Sequence, residues 1–183
     1  MKRSGFKGLV AAGLVATSIA ASTSVVSASD MFLKLTNIKG ESQDSKHKDE
    51  IDVLSWSWGT STGTGKVKKG AVPPQCIQDL YLTKYVDSSS PQLIMMGVVG
   101  EIAKEGTLTV RKSGEKQLEY LTLKMTDVMV TSYQTGGSSA SDAPLIDQVV
   151  LHFSSIEGEY RPQRPDGTIG NAVPFSVASD CQQ

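Results

Sequence analysis

The chain has 183 residues, of which 18 are basic and 19 are acidic, and its net charge is −1 when the histidines are neutral. A nucleic-acid surface needs an excess of clustered positive charge, so this balance predicts no nucleic-acid partner. A chain of this length suits one domain of ordinary size.

The first 28 residues have the pattern of a secretory signal peptide. Three basic residues precede an apolar run over residues 8–21, and Val26-Ser27-Ala28 fits the small-residue rule for cleavage. The mature protein is then expected to start near Ser29, as one β-barrel domain over residues 29–183. Because a membrane span needs about 20 apolar residues, no membrane contact is expected after cleavage. An uncleaved anchor and a start codon assigned too far upstream are the alternatives.

The segment from Asp30 to Gly59 predicts a strand, a long polar loop and a second strand. Met31, Leu33 and Leu35 alternate with other residues, which is the period of a strand. The only two tryptophans, Trp56 and Trp58, lie two apart on one face of the second strand and are expected to fill a β core. The charged loop between the strands has too few apolar residues to bury itself, so we expect it to arch over solvent or to dock on a partner.

One short helix is expected in the middle of the chain. Ser90 followed by Pro91 is typical of a helix N-cap and first position, and Gly100 is placed to end the helix. The predicted helix, from Pro91 to about Val99, is almost wholly apolar. It should therefore pack on the sheet or on a neighbouring subunit.

The remaining sequence predicts long strands. Leu121, Leu123 and Met125 alternate, and the apolar phase then shifts by one residue to Val128 and Val130, which indicates a bulge or a strand that crosses between sheets. About eight strands and one helix, with turn residues between them, predict a mainly β fold: an antiparallel barrel or a two-sheet sandwich.

The sequence offers little catalytic chemistry. His47 and His152 each lack a second histidine at ligand spacing, and the acidic residues near His47 do not have the spacing of a calcium loop. No nucleophile elbow or phosphate-binding glycine pattern is present in the sequence. We therefore expect a non-enzyme without metal or cofactor; a paired-carboxylate hydrolase is the weaker alternative.

The two cysteines, Cys76 and Cys181, allow a disulfide if the chain is exported. Spacing alone does not show whether they are close enough to bond. Pairing within the chain, pairing between subunits and two free thiols are all open at this point.

Long runs of the sequence follow one known pattern in one order. The longest are KGESQDSKHKDEIDVLSWSWG from Lys39, IQDLYLTKYVDSSSPQL from Ile77, LEYLTLKMTDVMVTSYQTGGS from Leu118 and DQVVLHFSSIEGEYRPQRPDGT from Asp147. A shorter run, LTVRKSG, begins at Leu108. In these runs the chain resembles the Hcp family, the haemolysin co-regulated tube proteins of type VI secretion systems.

The resemblance implies a structural role. Hcp proteins form hexameric rings that stack into the inner tube of a contractile machine, and this tube carries effector proteins and is itself expelled. The expected partners are therefore further copies of the chain, effector proteins and other type VI secretion components. By resemblance, rings would stack through a loop that contains Glu41, Asp44, Lys46, His47, Lys48, Asp49 and Glu50. The turn of Gly136, Gly137 and Ser138 would lie near the lumen, where cargo binds.

Two features depart from that family pattern. The loop over residues 59–75 holds three lysines and a proline pair where the family usually has a glycine run, so it is either a solvated loop or a surface for an acidic partner. The signal peptide also conflicts with a tube that assembles in the cytoplasm. The chain is then a tube subunit with an artefactual or repurposed N-terminus, an exported Hcp-like paralogue of the periplasm or cell exterior, or a monomeric β-barrel binding module.

Overall fold

A computed structural model describes residues 29–62, 75–113, 117–139, 144–164 and 167–178. The predicted signal peptide and most of the lysine-bearing loop lie outside these ranges. The strands are β1 (Ser29–Leu35), β2 (Ile51–Ser57), β3 (Thr60–Thr62), β4 (Gln75–Ile77), β5 (Leu80–Tyr85), β6 (Ala103–Lys112), β7 (Glu119–Gly136), β8 (Ile146–His152), β9 (Ser155–Tyr160) and β10 (Val173–Ala178). Helix α1 spans Ser89–Val99, and in these ranges no helix has the length and apolarity to cross a membrane.

Six strands close into an antiparallel barrel, as the sequence predicts. Their order is β7-β6-β1-β2-β5-β8, and β8 pairs back onto β7 to complete the ring. Strands β9 and β10 extend the sheet from β7, while β3 and β4 form a separate two-stranded ribbon. Closure removes most of the sheet edges that a flat sheet would expose.

The 18-residue strand β7 belongs to both walls of the barrel. Its first part pairs with β6 and β9, and from Met129 onward it pairs with β8. The change occurs at a register shift between Val130 and Ser132, close to Asp127, whose φ is 53°. The predicted shift of apolar phase after Met125 is therefore confirmed as a strand that passes from one sheet to the other.

A four-stranded wall is formed where β1 and β2 diverge. β1 pairs with β2 only through Phe32 and Leu33, so residues 53–57 of β2 pair with β5 alone among the described strands. Residues 129–136 of β7 likewise pair with β8 alone. We call residues 53–57, β5, β8 and residues 129–136 the front sheet. Both of its outer strands keep one unpaired edge among the described residues.

The core lies between the front sheet and the opposite wall. Fully buried residues from both walls meet there, including Leu33, Leu80, Leu108 and Leu151. Burial of each such side chain contributes roughly 1.5–3 kcal/mol. Trp56 and Trp58 are partly buried and pack against this cluster, which confirms the expectation that they help fill the core.

Helix α1 ends as predicted but begins differently. Gly100 has a φ of 69°, and its N–H donates to the Met96 carbonyl, which closes the helix. The helix starts at Ser89 rather than Pro91, so the prediction that Ser90 is the N-cap is wrong. The Asp87 carboxylate accepts the Ser89 N–H at 2.9 Å instead, and the Ser90 hydroxyl is used elsewhere.

Candidate functional site

Three rows of side chains cross the outer face of the front sheet. Strand register and alternation place these residues outward: Ser57, Tyr81, Val150 and Ser132 in the first row, Ser55, Thr83, Gln148 and Gln134 in the second, and Tyr85, Ile146 and Gly136 in the third. The hydroxyls of Ser55 and Thr83 are 2.6 Å apart. A shallow groove runs along this face. None of the eleven residues is an acid, a lysine, an arginine or a histidine, and most are hydroxyl or amide residues.

The opposite wall is charged. There Thr122 of β7 faces Glu159, and Lys124 faces Glu157. Strand β7 thus carries a charged side chain on the outer face of the opposite wall and only neutral side chains on the outer face of the front sheet.

The charged groups at the groove belong to its rim. Asp79 lies between β4 and β5, and its carboxylate contacts His152 Nδ1 at 2.8 Å. The other carboxylate oxygen accepts from the Thr131 hydroxyl at 3.2 Å. Asp79 is therefore engaged within the chain, and it lines the groove from outside the three rows.

A buried ion pair lies directly beneath the neutral face. Lys84 and Asp147 are fully buried, and Lys84 Nζ donates to Asp147 Oδ2 at 3.0 Å and to Ser90 Oγ at 2.9 Å. Burial raises the pKa of Asp147, but hydrogen bonds from Ser90 and Lys84, together with the nearby Tyr133 hydroxyl, outweigh it and hold that pKa below its usual value. Asp147 is therefore ionised at neutral pH, and the pair joins β5, β8 and the first turn of α1.

Tyr133 completes this cluster from β7. Burial raises the pKa of Tyr133 to about 12. Its hydroxyl and Asp147 Oδ1 are both buried and neither makes a hydrogen bond of normal geometry, so we regard their contact as electrostatic. Tyr133 remains neutral at physiological pH.

The charged loop packs on its own barrel and does not arch over solvent. Its ends are joined by backbone hydrogen bonds, from Gly40 N–H to the Asp49 carbonyl at 2.9 Å and from Ser42 N–H to the Glu50 carbonyl at 3.0 Å. A side chain at Gly40 would collide with the backbone of Glu50 and Ile51, so the close approach requires glycine. The expectation that the loop arches over solvent is thus wrong for its inner side, and docking of its outer side on a partner stays a prediction.

Arg111 of β6 anchors the loop. Its side chain is only 4% exposed, and its guanidinium contacts Asp44 of the loop at 2.5 Å and Asp30 of β1 at 3.0 Å. The Arg111 hydrogen bond lowers the pKa of Asp44 to about 2, against a smaller effect of burial in the other direction. The guanidinium also lies 4.8 Å from the centre of the Phe32 ring.

His47 covers the outer face of β1. Its ring stacks on Phe32 with centroids 4.2 Å apart, and its Nδ1 lies 2.8 Å from the Glu50 carboxylate. His47 is buried, so a residue that reads as solvated in the sequence is a packing residue. The sequence contains no local signal for this, because Phe32 and Arg111 come from two distant strands.

The seven predicted stacking residues fall into two groups. Asp44, His47 and Glu50 point toward the barrel, and Glu41 accepts the Ser88 N–H at 3.0 Å beside the start of α1. The exposed cations and carboxylate that remain are Lys46, Lys48 and Asp49. Their place on a ring face stays a prediction.

The predicted lumen turn lies at the end of the front sheet. Gly136 is the last residue of β7, and Gly137 and Ser138 follow it at the exposed surface. A side chain at Gly137 would meet the end of the exposed Leu145 side chain, which precedes β8. Contact of this turn with cargo stays a prediction.

Cys76 lies in β4, and the described residues contain no free cysteine. Cys181 falls outside the described residues, so the predicted disulfide between the two stays a prediction. The described ranges also hold no group of three histidine, cysteine, aspartate or glutamate side chains that would bind a metal ion.

Comparison with known proteins identifies the family. Residues 32–160 match the family described as type VI secretion system effector, Hcp. The protein hcp1 of Pseudomonas aeruginosa is 42% identical to this chain over 141 residues, which are 75% of this chain and 86% of the relative. The chain belongs to the Hcp family. As an Hcp protein it is a type VI secretion tube protein, in agreement with the sequence prediction.

Solved Hcp structures have the same fold. Hcp1 from Salmonella typhimurium matches with a TM-score of 0.70 and 31% identity, over 83% of this chain and 95% of that chain. A type VI secretion system effector from Yersinia pestis matches with a TM-score of 0.65 and 29% identity, over 81% of this chain and 99% of that chain. An Hcp barrel therefore extends over nearly all of the described residues.

Proposed function

We propose that this Hcp protein is the structural subunit of a hexameric ring, and that stacked rings form a tube that carries effector proteins. The observation that carries the proposal is the front sheet with an unpaired edge on each side. A subunit with two such edges can pair one edge with the next copy on either side. A closed ring then satisfies every edge, whereas an isolated subunit leaves both open.

The exposed apolar face of α1 supports the same assembly. Leu93 and Met96 point into the core, while Met95, Val98 and Val99 are more than half exposed. Gly97 packs against Val130, which places the helix next to the part of β7 that has an open edge. A neighbouring copy that pairs with this edge would cover the apolar helix face as well, which removes the cost of exposing it.

Native mass spectrometry of the processed protein tests the ring. We expect a six-subunit species, and we expect Val98→Lys to shift it toward monomer, since the lysine would be buried against the neighbouring copy. Val98 is 74% exposed in the single chain, so the variant should leave the thermal stability of the subunit unchanged. Thr126→Lys, an exposed position on the opposite wall, is the matched control.

A monomer at high concentration would contradict the tube-subunit proposal. It would favour the alternative of an exported β-barrel binding module that does not build a tube. If Val98→Lys still forms hexamers, the helix does not lie at the interface between copies, and the proposal of a ring is unaffected.

We further propose that the chain is exported to the periplasm or cell exterior through cleavage after Ala28. If so, Cys76 and Cys181 should be oxidised to a disulfide in protein recovered from its own compartment. The measurement is alkylation without prior reduction, followed by mass analysis, with cytoplasmically expressed residues 29–183 as the control. Alkylation of both cysteines in the recovered protein would contradict a structural bridge.

A further inference from the structure

The outer face of the front sheet is neutral, and this property indicates which kind of cargo surface it would bind. In a ring closed through the two open edges, this face forms one continuous wall, and the glycine turn at its end is the segment expected near the lumen. All eleven outward residues in its three rows are uncharged. One fifth of the whole chain is charged, and the opposite wall presents Lys124, Glu157 and Glu159, so the neutrality belongs to this face and not to the composition.

We propose that the tube holds cargo polypeptides through uncharged polar contacts, so that recognition is by hydrogen bonding and fit and is nearly independent of salt. This inference rests on the proposed ring. Gln134 and Gln148 each offer two donors and an acceptor, and Ser55, Thr83 and Tyr81 add hydroxyls that act in either role. Such a wall matches cargo that presents uncharged side chains and main-chain groups.

The chemistry of the face also explains how cargo could leave. An exposed neutral hydrogen bond adds only about 0.5–1.5 kcal/mol, because water competes for both partners. Repeated around a ring, a fixed charge would attract or repel cargo over roughly a Debye length, about 8 Å at physiological salt. A neutral wall avoids that force and holds its cargo weakly enough to release it.

The buried Lys84–Asp147 pair does not alter this picture. Both charges lie on the inner side of the sheet, 3.0 Å apart, and Lys84 Nζ also lies 2.8 Å from the Asp87 carboxylate. At the rim, Asp79 is paired with His152. Among the described residues, the three rows therefore contain no acidic or basic side chain.

Peptide titration of the assembled protein tests the inference. The probes are a dye-labelled Ser/Gln/Thr peptide and matched versions with interspersed Lys or Glu. They are titrated at about 0.01 M and about 1 M ionic strength, where the Debye length is about 30 Å and about 3 Å. The Kd of the neutral peptide should change less than about twofold between these conditions, and neither charged peptide should bind more tightly than it.

Variants that add a charge to the neutral face should make peptide binding depend on charge and salt. Thr83→Lys should tighten binding of the Glu peptide about fivefold or more at low salt, and this gain should vanish at high salt. Thr122→Lys places the same charge on the opposite wall and should leave all three peptides unchanged. Native mass measured on each variant confirms that the rings compared are intact.

Three results would overturn the inference: no binding of the neutral peptide, a preference of the native protein for one charged peptide, or a tenfold loss of affinity with salt. A failure of the chain to assemble into rings is detected by a separate measurement. If native mass shows only monomer, the tube proposal fails, while the same titration still decides which chemistry the face recognises.

Discussion

Replacement of Lys84 by methionine, Lys84→Met, is expected to lower the free energy of unfolding by about 3–5 kcal/mol, because it leaves the Asp147 carboxylate buried without its cation. Proteins of this size are stable by about 5–15 kcal/mol, so the loss is a large part of the total. Lys84 also donates to the Tyr85 carbonyl at 2.7 Å and to Ser90, which adds unsatisfied acceptors in the variant. Urea unfolding followed by tryptophan fluorescence measures the effect.

The double variant Lys84→Met with Asp147→Leu separates charge from packing. With both of these charges gone, part of the lost stability should return, since a buried pair contributes little beyond an apolar pair of similar volume. The Asp87 carboxylate, 2.8 Å from Lys84 Nζ, still loses its cation in the double variant. Lys104→Met, at an exposed position on β6, should change stability by less than about 0.5 kcal/mol. A cost below about 1 kcal/mol for Lys84→Met would show that water reaches Asp147 in the folded protein.

Arg111→Met is expected to cost about 2–3 kcal/mol and to release the charged loop. It removes the partner of Asp44 and Asp30 and the cation over Phe32, and it leaves two carboxylates facing each other. Because both carboxylates keep some contact with water, the cost should be smaller than for Lys84→Met. Lys112→Met, the exposed neighbour on the same strand, is the control.

The pH profile of stability supplies an independent readout of the same contact. The pKa of Asp44 is about 2 in the folded protein, below its ordinary value of 3.8. Its contribution to stability is therefore complete above about pH 4 and is lost as the pH falls through about 2. Arg111→Met should flatten this part of the profile. An unchanged slope between pH 4 and pH 2 would show that Asp44 does not depend on Arg111.

Features that depend on the spacing of apolar residues along one segment were predictable from the sequence. The alternation before Met125 and the phase shift after it follow directly from the two faces of a strand, and they located the crossing of β7 between the walls. Gly100 was identifiable because a left-handed helix end favours glycine. The lysine at position 84 also shares an alternating face with Leu80 and Leu82, which is a signal for a buried cation that needs a partner.

Features that depend on distant partners were not predictable. Asp44 and His47 lie in a run of charged residues and look solvated, yet their partners Arg111 and Phe32 come from β6 and β1. The open edges of the front sheet were equally hidden, because they depend on where β1 stops pairing with β2. Ser90 had the sequence context of an N-cap, but the buried Lys84 uses its hydroxyl.

The passage of β7 through both walls has a consequence for how the barrel opens. A barrel made of two sheets joined only by loops could lose one sheet while the other persists. Here the backbone hydrogen bonds of both sheets share one uninterrupted strand, from Glu119 to Gly136. Withdrawal of that strand from either wall disturbs the other, so the two walls should open together as a single cooperative unit.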